Sequence, residues 1–317
     1  MQKHNLKILV TGGAGFIGSN FVTRTLVTRS DVDITVLDSL TYAGSKANLE
    51  PFLDSINFVV GDIRDPILVD KLIRDSDLVV NFAAESHNDN SLRNPALFFD
   101  TNVMGTINIA NSCVTHNVRL HHISTDEVFG DLPLDSNIMF SVDTSYNPSS
   151  PYSASKAAGD HVIRAWVRSF GLLATISNCS NNYGPRQHWE KLVPGTIKAL
   201  VEGRKASVYG SGLNVRDWIH VDDHIDGIWL ACEKGSIGST YLFGARDTQS
   251  NIDIVKSIVR ILELPYDSID FIGDRPGHDL KYAVDPSLTE KELGWVSGHI
   301  SILDQLPALV SWYQNKL

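Results

Sequence analysis

A short apolar run near the start of the chain leads directly into a glycine-rich turn. The run is Leu6–Thr11, and Gly12–Gly18 then reads Gly-Gly-Ala-Gly-Phe-Ile-Gly before a helical pattern that continues to about Thr28. This order predicts strand, tight turn and helix, with glycines spaced so that the backbone can approach a pyrophosphate at the helix start. A second predicted strand, Asp33–Leu37, leads to Asp38, whose carboxylate would accept hydrogen bonds from ribose hydroxyls and repel a 2'-phosphate. The pattern therefore predicts a dinucleotide site that favours NAD over NADP.

Apolar runs and helical patterns continue to alternate through the first half of the chain. The further predicted strands are Asn57–Val60, Leu78–Ala83, Arg119–Ser124 and Leu172–Ser177, and the further predicted helices end at about Arg74 or span about Asn94–His116, Pro151–Phe170 and Ile302–Tyr313. Repeated strand and helix units predict an α/β fold with a Rossmann-like, doubly wound parallel sheet. The alternation breaks after residue 177, and residues from about 217 to 230 have the pattern of a return to the first domain. We therefore expect an NAD-binding domain of residues 1–177 plus about 214–243, interleaved with a smaller α/β substrate-binding domain of about 178–213 plus 244–317.

Length and composition disfavour several classes of protein. With 317 residues, 43% of them hydrophobic, the chain is long enough for a full core. A formal net charge of -10 without a lysine- or arginine-rich run disfavours nucleic acid as a partner. No apolar run has membrane-spanning length and the amino terminus has no signal pattern, so we expect neither membrane insertion nor secretion. The spacing of Cys113, Cys179 and Cys232 fits neither a metal site nor a redox pair, so we expect reduced core thiols in a cytoplasmic protein without a bound metal.

Two adjacent carboxylates follow the strand that ends at Ser124. Thr125, Asp126 and Glu127 lie where ligands bind in open parallel sheets, in the crevice beyond the carboxyl ends of the strands. Burial and mutual repulsion push the pKa values of two such carboxyls apart, which leaves one as an acid and one as a base. Such a pair can perform an elimination. The alternative is a solvated turn with both side chains in water, which is the commoner situation for an Asp-Glu pair.

Tyr152 and Lys156 lie four residues apart in a predicted helix and therefore share one face of it. A tyrosine with a pKa of about 10 is a poor base at neutral pH. A neighbouring ammonium and a positive nicotinamide ring both favour the phenolate, so the pair can take a proton from an alcohol as hydride leaves. After a dinucleotide turn and a Ser-Thr at a strand end, this spacing is typical of the extended short-chain dehydrogenases/reductases.

Other polar residues follow the predicted strands, with two interpretations each. Asp62 can meet the adenine amino group or cap the next helix, and the sequence favours neither. Small residues open the loop after Phe82, as a backbone lying close to a cofactor requires. Ser86 and His87 in that loop are candidates for substrate contact, although a lone histidine is more often structural. Asn181 and Asn182 begin a predicted loop, and their amides suit either a ligand or a turn.

Taken in order, these motifs resemble the dTDP-glucose 4,6-dehydratase family, a sugar-nucleotide dehydratase subfamily of the extended short-chain dehydrogenases/reductases. The resemblance covers nearly the whole chain and includes the Thr-Asp-Glu triplet, which similar epimerases lack. The matching segments are Gly12–Gly18, Ala83–His87, Ser124–Gly130, Tyr152–Lys156, Asn178–Pro185, Glu190–Leu192, Asn214–Trp218 and Asp274–Asp279.

The resemblance implies a reaction of dTDP-glucose on permanently bound NAD, in deoxysugar biosynthesis of the dTDP-rhamnose type. Tyr152, aided by Thr125 and Lys156, would deprotonate the glucose 4-hydroxyl as hydride leaves C4. Glu127 would then take the C5 proton and Asp126 would protonate the departing 6-hydroxyl, before hydride returns to C6. The product would be dTDP-4-keto-6-deoxyglucose. Kinship also implies a homodimer formed through the two long helices of residues 94–116 and 151–170.

The expected site residues form three groups. The catalytic group is Thr125, Asp126, Glu127, Tyr152 and Lys156. The cofactor group is Gly12, Gly15, Phe16, Ile17, Gly18, Asp38, Ser39, Leu40, Thr41, Asp62, Ile63, Phe82, Ala83, Ala84, Ser86, Thr101, Tyr152, Lys156 and Asn182. The substrate group is Ser86, His87, Thr125, Asn181, Lys191, Leu192, Ser207, Val208, Tyr209, Arg216, Asn251, Arg275 and His278.

Three positions depart from the family pattern. Asn90 and Lys281 stand where arginine is usual, and Gly195 replaces a more typical apolar residue. They remove no catalytic group but leave open a preference for UDP-glucose, which differs from dTDP-glucose by one methyl and one hydroxyl. The alternatives are therefore a UDP-glucose 4,6-dehydratase, an NAD-dependent sugar-nucleotide 4-epimerase and a non-catalytic NAD-binding Rossmann protein.

Overall fold

The computed structural model describes residues 5–299 and 301–317. The strands are β1 (Leu6–Thr11), β2 (Val32–Asp38), β3 (Asn57–Val60), β4 (Leu78–Asn81), β5 (Arg119–Thr125), β6 (Ala174–Cys179), β7 (Asn181–Tyr183), β8 (Ala206–Tyr209), β9 (Val215–His220), β10 (Thr240–Phe243), β11 (Thr248–Ser250) and β12 (Ile269–Ile272). The α-helices are α1 (Phe16–Thr28), α2 (Pro66–Arg74), α3 (Asn88–Arg93), α4 (Pro95–Phe99), α5 (Thr106–His116), α6 (Pro151–Phe170), α7 (Leu192–Val201), α8 (Val221–Lys234), α9 (Asn251–Ile261), α10 (Ser287–Leu293) and α11 (Ile302–Gln314). Short 3-10 helices span Lys46–Ser55, Asp126–Phe129 and Tyr266–Ser268, and a π-helical segment, Asp100–Gly105, joins α4 to α5.

Seven parallel strands form the main sheet, in the order β10-β6-β5-β4-β1-β2-β3. Connections run in one direction from β1 to β3 and in the other from β4 to β6, so the strand order reverses between β1 and β4. Helices on both faces cover its apolar residues, as in a doubly wound α/β fold. The predicted fold class is confirmed. A crevice at the switch between β1 and β4 is where such sheets bind ligands.

The remaining strands form two small sheets, β11-β9-β7 and β12-β8. Their core is separate from that of the main sheet and includes Trp218, Ile258 and Leu306, packed between α7, α9 and α11. Between β9 and β10 the chain returns to the main sheet, because α8 packs on α1, where the indole of Trp229 donates to the Thr25 hydroxyl at 2.9 Å. No helix in the described ranges combines the length and apolar character needed to cross a membrane.

The predicted helix over residues 94–116 is continuous but changes its winding in the middle. In the π-helical segment, the Asn102 side chain accepts from the backbone N–H of Glu85 at 2.8 Å and donates to the Glu85 carbonyl at 3.0 Å. The same amide donates to the Ser155 hydroxyl on α6 at 2.8 Å. The extra residue in the turn brings Thr101 to the crevice beside β4.

Candidate active site

A cleft of about 300 Å³ opens at the switch point, and we call it the cofactor cleft. The glycine turn forms one wall because side chains there would collide with backbone. Gly12 has φ of +69°, and a Cβ on it would lie 2.6 Å from the backbone nitrogen of Ala83. A Cβ on Gly18 would overlap the carbonyl oxygen of Gly12. The turn therefore presents bare backbone and the start of α1 to the cleft, as binding of a pyrophosphate requires.

Asp38 lies buried at the end of β2 in the same cleft. Its two carboxylate oxygens accept from the backbone N–H groups of Ala14, at 2.9 Å, and Leu40, at 2.8 Å. Burial raises the pKa of Asp38, and these two hydrogen bonds oppose the rise. Because a carboxylate has about four acceptor sites, the oxygens can still accept from a ligand's hydroxyls.

Asp62 also lines the cofactor cleft, and the alternative role as a helix cap is wrong. The N-cap of α2 is Asp65, which accepts from the backbone N–H groups of Ile67 and Leu68. The side chain of Asp62 instead accepts from the guanidinium of Arg64 at 2.7 Å, and this bond lowers the pKa of Asp62. The chain turns for two more residues after Asp62 before α2 begins, which places the cap later.

The structure brings the predicted cofactor group together with one exception. Leu40 does not line the cleft: its side chain packs on the core beneath the sheet, and only its backbone contacts Asp38. Its φ of +50° turns the chain at this point. All other members line the cofactor cleft: Gly12, Gly15, Phe16, Ile17, Gly18, Asp38, Ser39, Thr41, Asp62, Ile63, Phe82, Ala83, Ala84, Ser86, Thr101, Tyr152, Lys156 and Asn182.

The Asp-Glu pair forms the first turn after β5, and its two carboxyl groups have different surroundings. Asp126 is only 2% exposed, so the solvated-turn interpretation is wrong for it. Its Oδ1 accepts from the Thr125 hydroxyl at 3.3 Å, and burial followed by repulsion from Glu127 raises its pKa well above the usual value. Glu127 is partly exposed and accepts from the Asn88 amide at 2.9 Å. Asp126 is therefore suited to carry a proton, whereas the Glu127 carboxylate is open to a ligand.

Tyr152 and Lys156 lie on the buried face of α6 and border the cofactor cleft beside Thr125. The Ser150 capping box and Pro151 start the helix so that Tyr152 falls in its first turn. The Lys156 ammonium donates to the Ile123 carbonyl at 2.7 Å. Burial raises the pKa of Tyr152 well above 10, with repulsion by Glu127 adding to it and Thr125 opposing it. The protein groups alone thus keep Tyr152 protonated, and the expected lowering of its pKa, which includes the positive nicotinamide ring, stays a prediction for the protein with NAD bound.

A second cleft of about 390 Å³, the substrate cleft, continues from the first between the main sheet and the C-terminal residues. Glu127, Asn181 and Lys191 line both clefts. Of the predicted substrate group, Ser86 and Thr125 lie in the cofactor cleft only. The others line the substrate cleft: His87, Asn181, Lys191, Leu192, Ser207, Val208, Tyr209, Arg216, Asn251, Arg275 and His278.

The cations of the substrate cleft already have partners in the protein. Arg216 is buried, donates to the Asp279 carbonyl at 2.9 Å and stacks on the Tyr282 ring at 4.2 Å. Arg275 pairs with Asp89 on α3 at 3.4 Å. The backbone thus orients Arg216, whereas Arg275 is held by a side chain that a ligand can replace.

The neighbouring asparagines Asn181 and Asn182 form the short strand β7 rather than the predicted loop, because β9 pairs with them in parallel. The Asn182 amide is used inside the protein, since its Oδ1 accepts from His224 Nδ1 at 2.9 Å and its nitrogen donates to the Ser180 carbonyl at 3.0 Å. Asn181 Oδ1 is buried and has no hydrogen-bond partner among the residues that the structure describes. It lies at the junction of the clefts, where a ligand can supply the missing donor.

The sequence did not point to Asp89 or Glu190, two acidic residues that line the clefts. Asp89 contacts both Arg275 and the Tyr209 hydroxyl. Glu190 lies in both clefts, 3.7 Å from His87 Nε2. Its place beside Lys191 in a matching segment was the available signal, whereas Asp89 carried no distinctive spacing. Among the described residues, no group of three histidine, cysteine or acidic side chains is placed to hold a metal ion.

Known proteins resemble this chain over nearly all of its length. Residues 9–300 match the model of the GDP-mannose 4,6 dehydratase family. The dTDP-glucose 4,6-dehydratase of Mycolicibacterium smegmatis is 52% identical over 98% of this chain and 93% of that protein. The enzyme of the same name from Mycobacterium tuberculosis is 50% identical over 98% and 94%. A crystal structure of DesIV, a dTDP-glucose 4,6-dehydratase from Streptomyces venezuelae with NAD bound, has a TM-score of 0.94 at 42% identity and covers 98% of this chain and 97% of its own.

Proposed function

This chain belongs to the GDP-mannose 4,6 dehydratase family, and from that premise we propose that it is an NAD-dependent hydro-lyase that converts dTDP-glucose to dTDP-4-keto-6-deoxyglucose and water. The observation that carries this proposal is the place of the carboxyl pair. Asp126 and Glu127 line the same cleft as Tyr152 and Lys156. A 4-epimerase needs only the redox pair, whereas loss of water needs an additional acid and base.

The residues of the cofactor cleft fit NAD. The bare glycine turn suits its pyrophosphate, Asp38 suits the adenosine ribose, and the donor that buried Asn181 Oδ1 lacks can come from a ligand at the junction. NAD bound there supplies a hydride acceptor for C4 and, later in the cycle, a hydride donor for C6. Because the cycle restores the cofactor, we expect it to stay bound through turnover.

In the first stage, Tyr152 takes the proton of the glucose 4-hydroxyl. Burial keeps its phenol protonated in the protein alone, so the chain must offset this cost when the sugar is present. The hydroxyl of Thr125 favours the phenolate. We expect the positive charge of Lys156, one helical turn away on α6, to act in the same direction. Oxidation at C4 then makes the C5 proton acidic.

In the second stage, the carboxyl pair removes water. Glu127 takes the C5 proton, and Asp126 gives its proton to the departing oxygen on C6, so that the atoms balance as one water molecule. The raised pKa of Asp126 supports the acid role, because a carboxyl must hold its proton at neutral pH to donate it. Asn88 donates to Glu127 and orients the base.

The diphosphate would bind in the substrate cleft. Arg216 and Arg275 offer planar forks and Lys191 a point charge, which together suit two phosphates. The nucleoside would extend toward Ser207–Tyr209 and Asn251. Gly195 lines the same cleft, and a Cβ on it would lie 2.8 Å from the carbonyl oxygen of Trp189.

The division of the chain follows the same assignment. An NAD-binding domain of residues 1–177 plus about 214–243 is supported by β10 in the main sheet and by α8 packed on α1, although β9 pairs in a small sheet. A homodimer is supported by α5 and α6, which lie side by side, with Trp166 donating to Asn111 at 2.8 Å, and by the exposed apolar side chains of Phe99 and Met104. A cytoplasmic location is supported by three unpaired cysteines.

The test supplies purified protein with dTDP-glucose and UDP-glucose in parallel, without added cofactor. We expect dTDP-glucose to lose water and give a 4-keto-6-deoxy sugar, detected by its absorbance in alkali and by mass. The double variant Asp126→Asn, Glu127→Gln should make this product about 10² to 10⁴ times more slowly.

Each other outcome points to a different enzyme or to none. Epimerised sugar without loss of water would identify a 4-epimerase, and faster turnover of UDP-glucose would identify the UDP-sugar dehydratase. An undiminished rate in the double variant would show that the assigned acid and base are wrong.

A further inference from the structure

Asp160, one turn after Lys156 on α6, is a carboxyl group with no exposure to solvent. A buried ionised carboxyl is rare unless it is paired or hydrogen-bonded, because removing it from water costs free energy. The mechanism above assigns it no task. Its surroundings therefore need an explanation of their own.

Two hydrogen-bond donors converge on one oxygen of Asp160. The Tyr146 hydroxyl donates to Oδ2 at 2.8 Å, and the Asn178 amide donates to it at 3.1 Å. Arg164 in turn donates to the Tyr146 oxygen at 2.7 Å, so the Tyr146 hydrogen is available for the carboxyl. Both groups therefore present hydrogens to Asp160.

The other oxygen faces a histidine whose tautomer the neighbouring residues decide. Thr11 donates to Asn81 Oδ1 at 2.6 Å, and the Asn81 amide nitrogen lies 3.0 Å from His122 Nδ1. An amide nitrogen can only donate, so His122 Nδ1 is the acceptor. Burial lowers the pKa of His122 well below its usual value, so the ring is neutral and its hydrogen lies on Nε2. That atom is 3.6 Å from Asp160 Oδ1.

All three neighbours thus offer hydrogens, and Asp160 Oδ1 has no acceptor within hydrogen-bonding distance in the described residues. A protonated carboxyl could donate only to the Tyr146 oxygen, which already accepts from Arg164, and the Tyr146 hydrogen would then lose its acceptor. The surroundings therefore select the carboxylate anion, even though burial raises the pKa of Asp160. A buried anion one helical turn from a buried ammonium is its counter-charge.

The environment of Lys156 also indicates that Asp160 carries a negative charge. Its side chain is only 6% exposed, and burial lowers its pKa. Asp160 is the group that opposes this lowering most strongly. The other titratable or charged groups around Lys156, Tyr152 and Asp160 come from the neighbouring elements, and they are His121, His122, Asp126, Glu127, Tyr146, Arg164 and Cys179.

Asp160 also connects α6 to the catalytic end of β5. The same Asn178 amide that donates to Asp160 donates to the Thr125 carbonyl at 3.0 Å. Lys156 holds the Ile123 carbonyl two residues earlier. The backbone on both sides of Ser124 is thereby attached to the helix that carries Tyr152.

We infer that Asp160 is a positioning residue for the redox pair: it supplies the buried negative charge opposite Lys156 and, through Asn178, holds Thr125 against α6. The inference rests on the proposed function for its catalytic consequence only. Its physical content, the charge state of Lys156, is measurable without turnover.

The primary experiment measures the pKa of Lys156 by carbon NMR in protein labelled with 13C-lysine, assigned with Lys156→Met. In Asp160→Asn, which keeps the shape and removes the charge, we expect this pKa to fall by about one unit or more. The pH at which kcat declines on the alkaline side should fall by a similar amount. At a fixed pH on that side, kcat should therefore be about tenfold lower. A purely structural role would lower kcat equally at every pH.

A second variant serves if Asp160→Asn does not fold. Tyr146→Phe removes one hydrogen-bond donor and leaves the carboxyl in place, so Asp160 should protonate more easily. The pH at which kcat declines on the acid side should therefore rise by about half a pH unit. Arg168→Gln, an exposed change on the same helix, is the control and should move neither limb.

The results separate the two ideas. An unchanged Lys156 pKa in folded Asp160→Asn, or an unchanged acid limb in Tyr146→Phe, overturns the inference. A shifted Lys156 pKa in a protein that makes no 4-keto-6-deoxy sugar supports the inference and rejects the proposed function.

Discussion

The two clefts adjoin at Glu127, Asn181 and Lys191 but are built from different parts of the polypeptide. Backbone and small residues shape the cofactor cleft, which is already open at the glycine turn. Charged side chains line much of the substrate cleft, and they pair with each other, as Arg275 does with Asp89. The difference indicates that the first site is preformed, whereas the second must exchange internal ion pairs for those of a ligand.

The largest effect should follow from one methyl group in the preformed cleft. In Gly18→Ala the new Cβ overlaps the Gly12 carbonyl, and the backbone must move. We expect a loss of about 3 kcal/mol in NAD binding, or about 100-fold in affinity, measured as NAD retained by the purified protein. Gly273→Ala, at an exposed glycine with open space around it, is the control. Equal NAD content in both variants would contradict a backbone-built site.

An intermediate effect should appear as loss of stability in acid, caused by two fully buried histidines, one of which contacts the cofactor-cleft residue Asn182. Burial lowers the pKa of His121 and of His224 to about 3, and His224 holds Asn182. In the unfolded chain a histidine has a pKa of about 6.5, so the unfolded state binds more protons between pH 6.5 and 3. The contribution of these histidines to the free energy of unfolding is complete above pH 6.5. It falls as the pH decreases, by about 1.4 kcal/mol per pH unit for each histidine.

Urea unfolding at pH 7.5 and 5.5 measures this loss. His224→Gln should reduce the difference between the two pH values. His278→Gln should change it less, because His278 lies in the substrate cleft and pairs with Asp274 at 2.7 Å, which opposes the lowering of its pKa by burial. If both variants reduced the difference in stability between pH 7.5 and 5.5 equally, the two clefts would not differ in this property.

The smallest effect should come from releasing the internal ion pair of the substrate cleft. Asp89→Asn removes the ion pair with Arg275, and because both side chains are partly exposed this pair contributes at most about 1 kcal/mol. Arg275 is then free to bind the substrate, so KM for dTDP-glucose should fall by up to about fivefold with kcat unchanged. Tyr209→Phe, which removes the other contact of Asp89, keeps the ion pair and provides the comparison. A raised KM in Asp89→Asn would show that the carboxylate helps to bind the substrate.

Local patterns predicted the first part of the fold well. The bounds of β1 and the end of α1 at Thr28 match the expected ones, whereas α1 begins at Phe16, within the glycine turn rather than after it. Strand, turn and helix were predictable because they are encoded by neighbouring residues. The winding of the helix over residues 94–116 was not predictable, since Asn102 is drawn to Glu85 and Ser155, which are distant in sequence. The choice between Asp62 and Asp65 as the cap of α2 depends on a local feature, because the chain turns at residues 63 and 64 before the helix begins.

The sequence by itself determined the chemical groups and their positions relative to the strands and helices. These are a glycine turn, an acid pair after a strand, and a tyrosine and lysine on one helix face. These are short-range features, governed by steric limits and helical periodicity. Only the tertiary structure decided which polar and charged groups face each other, because Asp160 and His122 lie far apart along the chain, as do Asp89 and Arg275. Burial and pairing set the protonation of these groups, and both arise when distant segments pack together.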